Sequence, residues 1–228
     1  MWKRSVKFWG GVSLQSLGIC MGLALVFLVF FAGGSFAAGG LGIRGSVGGL
    51  LLLYPYYLTL MGVFYMSLSA LGCFRSYLPL LVSFNVTRKQ AICGILLHHL
   101  AVILGLVGLE AFVWFLAGLL GGEAGGEMAG LIWLMGGTML LVGSFGIFLG
   151  TLGSRWGKLG QILGVAMAAV MGGVTGAGVA AAGKEKVWAG FNRLAEGRFL
   201  WFMLLGLAVF ALVSAFAFLV NRKMEVRN

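Results

Sequence analysis

The sequence has no aspartate, and its six acidic residues are all glutamates. Only 10% of the 228 residues are charged, whereas 61% are hydrophobic. A soluble domain carries about 25% charged residues, so this chain lacks the polar surface that a soluble fold needs. Without aspartate, aspartyl-phosphate chemistry and aspartate-based calcium loops are excluded. The composition predicts an integral membrane protein.

Six apolar runs are each long enough for a membrane-spanning helix, which needs about 20 residues. Short polar joints separate them and leave no room for a soluble domain. We therefore expect an all-α integral membrane protein with a single transmembrane domain over residues 1–228. The six predicted spans are 17–38, 48–73, 93–119, 128–152, 160–182 and 199–220.

The net charge of +10 is distributed according to this topology. If the N-terminus is cytoplasmic, eleven of the sixteen basic residues fall in cytoplasmic segments, and four of the six glutamates fall outside. This distribution is the positive-inside bias of a membrane protein. It predicts that both termini are cytoplasmic, and it gives no indication of nucleic-acid binding.

Two further segments are predicted to lie on the membrane surface. Residues 1–16 combine Lys and Arg with apolar residues near helical spacing, which favours an interfacial helix. The alternative is a basic start to span one. Residues 184–198 repeat Trp188, Phe191 and Leu194 among charges, which predicts an external amphipathic helix before span six.

Candidate catalytic and metal-binding groups are few. No nucleotide-binding loop is present, because residues 153–159 have the wrong glycine spacing and end in leucine, so the chain is not expected to hydrolyse ATP or to be an enzyme. The three cysteines lie in or near spans, and we predict neither disulfide nor metal from them. His98 and His99 diverge on their helix, and Glu110 is about 16 Å away along its axis. We therefore predict no metal site and no cofactor in this chain.

Glu110 is predicted to be functional or structural, because a carboxyl group within a span is costly unless it faces protein or water. Either a substrate path or gate, or a hydrogen bond between helices, would explain it. In span five, Gly172 and Gly176 have the GxxxG spacing that lets helices approach closely. That contact is either a packing contact within the chain or a dimer interface.

The segment 76–90 joins spans two and three. Thr87 and Gln90 fit a capping box, so we expect span three to begin at Thr87. The preceding apolar stretch is too short to span and predicts a short helix on the cytoplasmic surface. An exposed Phe84 followed by Arg88 and Lys89 favours a docking element, although a loop that only sets topology is the alternative.

The stretch LVSFNVTRKQ, residues 81–90, resembles the S-F-G-hydrophobic-T/S-R-K segment of small bacterial ABC transporter permeases of the type-2 exporter class. In that family the segment belongs to a cytoplasmic coupling helix that inserts into an ATPase subunit. The usual glycine is replaced here by Asn85, which also tolerates left-handed backbone angles. The resemblance assigns ATPase contact to Leu81, Ser83, Phe84, Asn85, Thr87, Arg88 and Lys89.

The resemblance implies a membrane-spanning exporter subunit for a hydrophobic or amphipathic substrate: a peptide, lipid or drug. Its partners would be a cytoplasmic ATP-binding-cassette ATPase, which holds ATP and Mg²⁺, a second permease copy or a related permease, and membrane lipids. The alternative is a six-span channel-like or sensory protein without an ATPase. A membrane-embedded enzyme would need convergent acid, base and nucleophile, for which only the two histidines and Glu110 are available.

Overall fold

The computed structural model describes residues 2–37, 47–83, 86–119, 127–160, 162, 166 and 199–221. These residues form helices and contain no strand. In chain order the helices are α1 (Trp2–Ala37), α2 (Val47–Gly72), a π-helical turn (Cys73–Tyr77), α3 (Leu78–Ser83), α4 (Arg88–Leu119), α5 (Glu127–Trp156) and α6 (Phe199–Asn221).

Five stretches within these helices are long and apolar enough to cross a membrane. They correspond to predicted spans one to four and six, and the all-helical membrane architecture is confirmed. The predicted span five and its glycines Gly172 and Gly176 lie outside the described residues, as does the predicted external segment 184–198. The five stretches are Lys7–Phe30, Tyr54–Ser83, Arg88–Ala117, Ile132–Trp156 and Leu200–Asn221.

Helix α1 is a single unbroken helix of 36 residues. Its membrane-spanning stretch begins at Lys7, inside the segment 1–16 that was predicted to be a separate interfacial helix. Trp9, Ser13 and Ser16 are buried against the rest of the protein. The structure therefore has no helix boundary near residue 16, and Ser13 and Ser16 face other helices, whereas Lys7 and Gln15 are exposed.

The directions of the helices follow from side-chain contacts. Ser13 of α1 contacts His98 of α4, and an added Cβ at Gly105 would meet Leu17, so α1 and α4 run parallel. Helix α2 is antiparallel to both, because its Thr59 bonds Glu110 near the far end of α4, whereas its Ser69 lies beside His99.

Helices α5 and α6 run parallel to each other. Gly206 packs on Gly137, and 17 residues after Gly137 the Ser154 hydroxyl lies 2.8 Å from the Asn221 side chain. The predicted topology requires spans four and six to be parallel, because consecutive spans alternate in direction. Helix α5 also packs against α2, and both α5 and α6 contact α4, so the α5–α6 pair meets the rest of the bundle through α2 and α4.

Glycines in α5 allow this close packing. A Cβ at Gly150 would lie 2.9 Å from the Ala70 carbonyl oxygen of α2, and one at Gly146 would lie 3.1 Å from the Met66 carbonyl oxygen. Gly146 and Gly150 have the GxxxG spacing, so this motif brings α2 and α5 into backbone contact.

The π-helical turn follows from the position of Pro79. Proline has no N–H to bond the carbonyl four residues earlier, and its ring would collide with that carbonyl in a regular α-helix. The chain widens here, and the Leu78 N–H bonds the Cys73 carbonyl five residues back. Such π turns are frequent at functional sites.

Candidate functional site

The segment from Leu78 to Gln90 is held to the helix bundle by apolar contacts. Leu78 and Leu81 of α3 are buried, and α3 packs against α4. The Val86 N–H donates to the Leu81 carbonyl at 3.1 Å, which closes the turn between the two helices. A displacement of α3 would therefore be transmitted to both α2 and α4.

Other residues of this segment face outward. Ser83, Thr87 and Lys89 are exposed, and Arg88 is half-buried. Phe84 and Asn85 lie outside the described residues. Helix α4 begins at Arg88, and the Gln90 N–H reaches the Thr87 hydroxyl at 3.4 Å, which places Thr87 at the predicted cap. The structure thus brings basic and polar groups to the surface at the turn and keeps Leu78 and Leu81 inside.

Every Lys and Arg of the described residues lies at one end of the bundle. That end is formed by the start of α1, the π-helical turn, the start of α4 and the end of α5, which the helix directions bring together. Arg75, Lys89, Arg155 and Lys158 are exposed there. Tyr77 and Leu80 are exposed beside them, so this surface combines positive charge with apolar side chains.

Glu110 lies toward the opposite end of α4 and is fully buried. Its Oε1 is 2.5 Å from the Thr59 hydroxyl, and Thr59 is also 2.9 Å from the Pro55 carbonyl of its own helix. Within the described part of the chain, Oε2 has no hydrogen-bond partner. Glu110 of α4 and Thr59 of α2 therefore form a hydrogen bond between helices, which is one of the two explanations that the sequence offered for Glu110; the other was a substrate path or gate.

A second polar cluster lies between α2 and α4, nearer the basic end of the bundle. Cys73, His98 and His99 are buried, and one ligand atom from each lies within 4.8 Å of the others. The rings of the two histidines are in edge contact, with centroids 5.3 Å apart. The cluster adjoins the π-helical turn, which begins at Cys73.

Helix α1 closes this cluster. The Ser13 hydroxyl lies 2.8 Å from His98 Nδ1, and the Trp9 ring lies against His98 with centroids 5.4 Å apart. Trp9 also packs directly on Gly94, where an added Cβ would be 2.1 Å from the indole nitrogen. The cluster is therefore enclosed by three helices.

Sequence reasoning treated the histidines one helix at a time. It correctly separated Glu110 from His98 and His99, but it could not place Cys73 beside them. The signal available was weak: a cysteine near the end of one span and a histidine pair near the start of the next, on helices joined by a short segment.

No protein-family model matches the sequence, and no similar protein was found among curated proteins or solved structures. The fold and composition define the chain as a multi-pass α-helical membrane protein.

Proposed function

We propose that this chain is the membrane-spanning permease subunit of an ATP-driven exporter in a bacterial plasma membrane. A separate cytoplasmic ATPase, which binds ATP and Mg²⁺, would drive it through residues 78–90. The observation that carries the proposal is the surface at the basic end of the bundle, where α3 is anchored inside by Leu78 and Leu81 and is followed by the exposed Lys89 at the start of α4.

The way α3 is attached to the bundle suits a partner protein that transmits a conformational change to the spans. Because Leu78 and Leu81 anchor α3 to α4, and α3 continues from α2 through the π-helical turn, a force on the exposed face moves two spans together. A loop that only set topology would need basic residues but no buried anchors. Positive charge at this end also supports a cytoplasmic location, where an ATPase would be encountered.

The resemblance of residues 81–90 to the coupling segment of type-2 exporter permeases supports the same function. It implies a dimer with a second copy or a related permease, and a hydrophobic or amphipathic cargo. The open surface of the spans is lined by large apolar side chains such as Phe30, Leu68 and Phe115, which suits contact with lipid or with another permease.

The experiment is purification of the tagged chain from its native membrane in mild detergent, followed by assay of co-purified nucleotide hydrolysis. Lys89→Glu should lower the yield of ATPase, because it reverses a charge on the proposed docking surface. Lys158→Glu is the matched control, since it reverses an exposed charge at the same end but outside residues 78–90.

The proposal predicts a stoichiometric ATPase with the wild type and with Lys158→Glu, and a reduced one with Lys89→Glu. If the wild type brings no nucleotide-hydrolysing subunit, the exporter function is wrong and a stand-alone channel-like or sensory role takes its place. Equal loss with both variants would mean that general charge at this end, rather than residues 78–90, attracts the partner.

A further inference from the structure

We propose that Cys73, His98 and His99 form a buried site that binds a single Cu(I) ion. This inference replaces the sequence-based expectation of no metal site, and it is independent of the proposed export function. It rests on the convergence of three ligand atoms, on the hydrogen bonds that orient the imidazoles, and on the charge that the surroundings allow.

The hydrogen bonds fix the form of His98. The Ser13 hydroxyl has one hydrogen, which it donates to the Trp9 carbonyl at 2.8 Å. Toward His98 Nδ1, also at 2.8 Å, Ser13 can then only accept, so Nδ1 carries the hydrogen. The Nε2 atom of His98 is left with a lone pair, and it has no hydrogen-bond partner in the described part of the chain.

His99 is oriented in the same way. Its Nδ1 lies 2.8 Å from the Ile95 carbonyl, which can only accept a hydrogen bond. Nδ1 therefore carries the hydrogen, and Nε2 offers a lone pair whose nearest partner is the Ser69 hydroxyl at 3.4 Å. A metal-bound histidine usually donates its other ring N–H to a carbonyl or similar acceptor, because this bond fixes the tautomer and the ring orientation.

His98 Nε2 is one of five buried side-chain polar atoms that lack a hydrogen-bond partner in the described part of the chain, and among them it is the one nitrogen with a lone pair. His98 is 1% exposed, and most buried polar side-chain atoms in native proteins have a partner. A purely structural His98 would be expected to use Nε2 in a hydrogen bond, as His99 does with Ser69 at 3.4 Å. The third group, the Cys73 thiol, is 2% exposed and supplies a soft sulfur ligand instead.

The distances are compatible with one metal. Bonds to sulfur and imidazole nitrogen are about 2.3 and 2.0–2.1 Å, so ligand atoms around a single ion lie about 3.5 Å apart. One ligand atom from each of Cys73, His98 and His99, a ring nitrogen or the sulfur, lies within 4.8 Å of the other two. A closure of about 1 Å by side-chain rotation would complete the coordination.

The ligand set and the location favour Cu(I) over other ions. Thiolate and imidazole ligands suit copper and zinc, whereas Mg²⁺ and Ca²⁺ require oxygen ligands. The Cys73 thiol releases its proton to the solvent as the sulfur binds the metal, and the resulting thiolate and a monovalent ion are together neutral. Zn²⁺ would leave one positive charge uncompensated inside a membrane-spanning region, which is costly, and structural zinc normally has four ligands.

The test uses the full-length protein, purified in detergent under reducing conditions and titrated with Cu(I) against a chelator of known Cu(I) affinity. We expect one copper ion per chain, with an X-ray absorption spectrum of one sulfur and two nitrogen ligands. Cys73→Ala should lower the affinity by at least about tenfold, the lower limit for the loss of even an outer-shell partner. Cys20→Ala and Cys93→Ala are the matched controls and should bind as the wild type does.

His98→Asn separates metal binding from folding. Asparagine keeps an N–H near the position of His98 Nδ1, so the bond to Ser13 is retained while the Nε2 ligand is lost. This variant should keep the thermal unfolding temperature of the copper-free wild type but should lose the increase that Cu(I) gives the wild type. That increase is expected because a ligand that binds the folded state stabilises it.

Several results would overturn the proposal. One is a wild type that retains no more copper than Cys73→Ala in the presence of the chelator. Another is an equal effect of Cys20→Ala and Cys73→Ala. Preferential binding of Zn²⁺ at equal free-ion concentration would refute the assignment of Cu(I).

Discussion

At the scale of single residues, Glu110 shows how a carboxyl group is accommodated inside a span. The Thr59 hydroxyl has one hydrogen but two oxygen neighbours, Glu110 Oε1 and the Pro55 carbonyl. A neutral carboxylic acid completes this chain, because it donates to Thr59 and Thr59 donates to Pro55. The arrangement links α4 to α2 without placing an unpaired charge in the membrane.

We therefore expect Thr59→Val to destabilise the protein by about 1–3 kcal/mol, since it leaves the buried Glu110 without its partner. Glu110→Gln should cost less than about 1 kcal/mol, because the amide N–H can donate to Thr59 in the same way. Unfolding of the detergent-solubilised protein by heat or denaturant measures both changes.

The matched control is Thr138→Val. The Thr138 hydroxyl bonds the Leu134 carbonyl of its own helix at 2.8 Å. Its loss should have little effect on stability. If Thr59→Val were as mild as the control, the bond to Glu110 would contribute nothing to stability, and a role for Glu110 in a substrate path would be the better explanation.

Residue contacts across helices were the least predictable part of the molecule. A hydropathy pattern is read from neighbours along the chain and predicts where a span lies. The contact of Cys73 with His98 and His99 depends instead on how two helices are rotated about their axes. The π-helical turn changes that rotation locally, because five rather than four residues separate the bonded groups. A pattern search along a single helix cannot detect such a site.

At the scale of helices, five of the six predicted spans were found near their predicted positions. The reason is that a long apolar run in a bilayer can satisfy its backbone only as a helix. The start of the first helix was less accurate, because α1 extends to Trp2, whereas α4 begins at Arg88, next to the predicted cap Thr87. Hydropathy does not mark a helix start reliably, because some polar residues near the start pack inside the bundle and others lie at its surface.

Helix packing gives the second prediction. Gly150→Ala should destabilise the protein by about 1–3 kcal/mol, because its Cβ would lie 2.9 Å from the Ala70 backbone oxygen and force α2 and α5 apart. The same unfolding measurement applies, and a loss of native contacts between the two helices should accompany it.

The control is Gly108→Ala in α4, where an added Cβ has no neighbour within 4 Å. Alanine favours helix over glycine by up to about 1 kcal/mol, so this variant should be neutral or stabilising. If both variants behaved alike, the glycines of α5 would not be required for its approach to α2.

At the scale of the whole molecule, the helix directions and the charges agree. The described basic residues gather at the end that holds the start of α1 and α4 and the ends of α2 and α5. The positive-inside rule predicts that this end is cytoplasmic. The proposed docking surface for an ATPase lies there, and the proposed copper site lies about 15 Å further in, ten residues along α4 from Arg88.

This orientation is tested by labelling single cysteines in intact cells with a membrane-impermeant maleimide. Cysteine at position 89 or 158, both exposed in the structure, should react only when the membrane is opened or inverted. Cysteine at position 123, in the predicted outer joint between spans three and four, should react in intact cells. Cys20 and Cys73 are buried and Cys93 is half-buried, so Cys93→Ala provides a background of low reactivity.

Opposite labelling would place the basic end outside. Residues 78–90 would then be inaccessible to a cytoplasmic ATPase, and the export function would be excluded even if an ATPase were found in the same membrane. Labelling at position 158 but not at 89 after the membrane is opened would instead indicate that position 89 is covered by a partner. Removal of the ATPase should then restore the reaction at position 89, and this reversible protection would locate the docking surface directly on the segment 78–90.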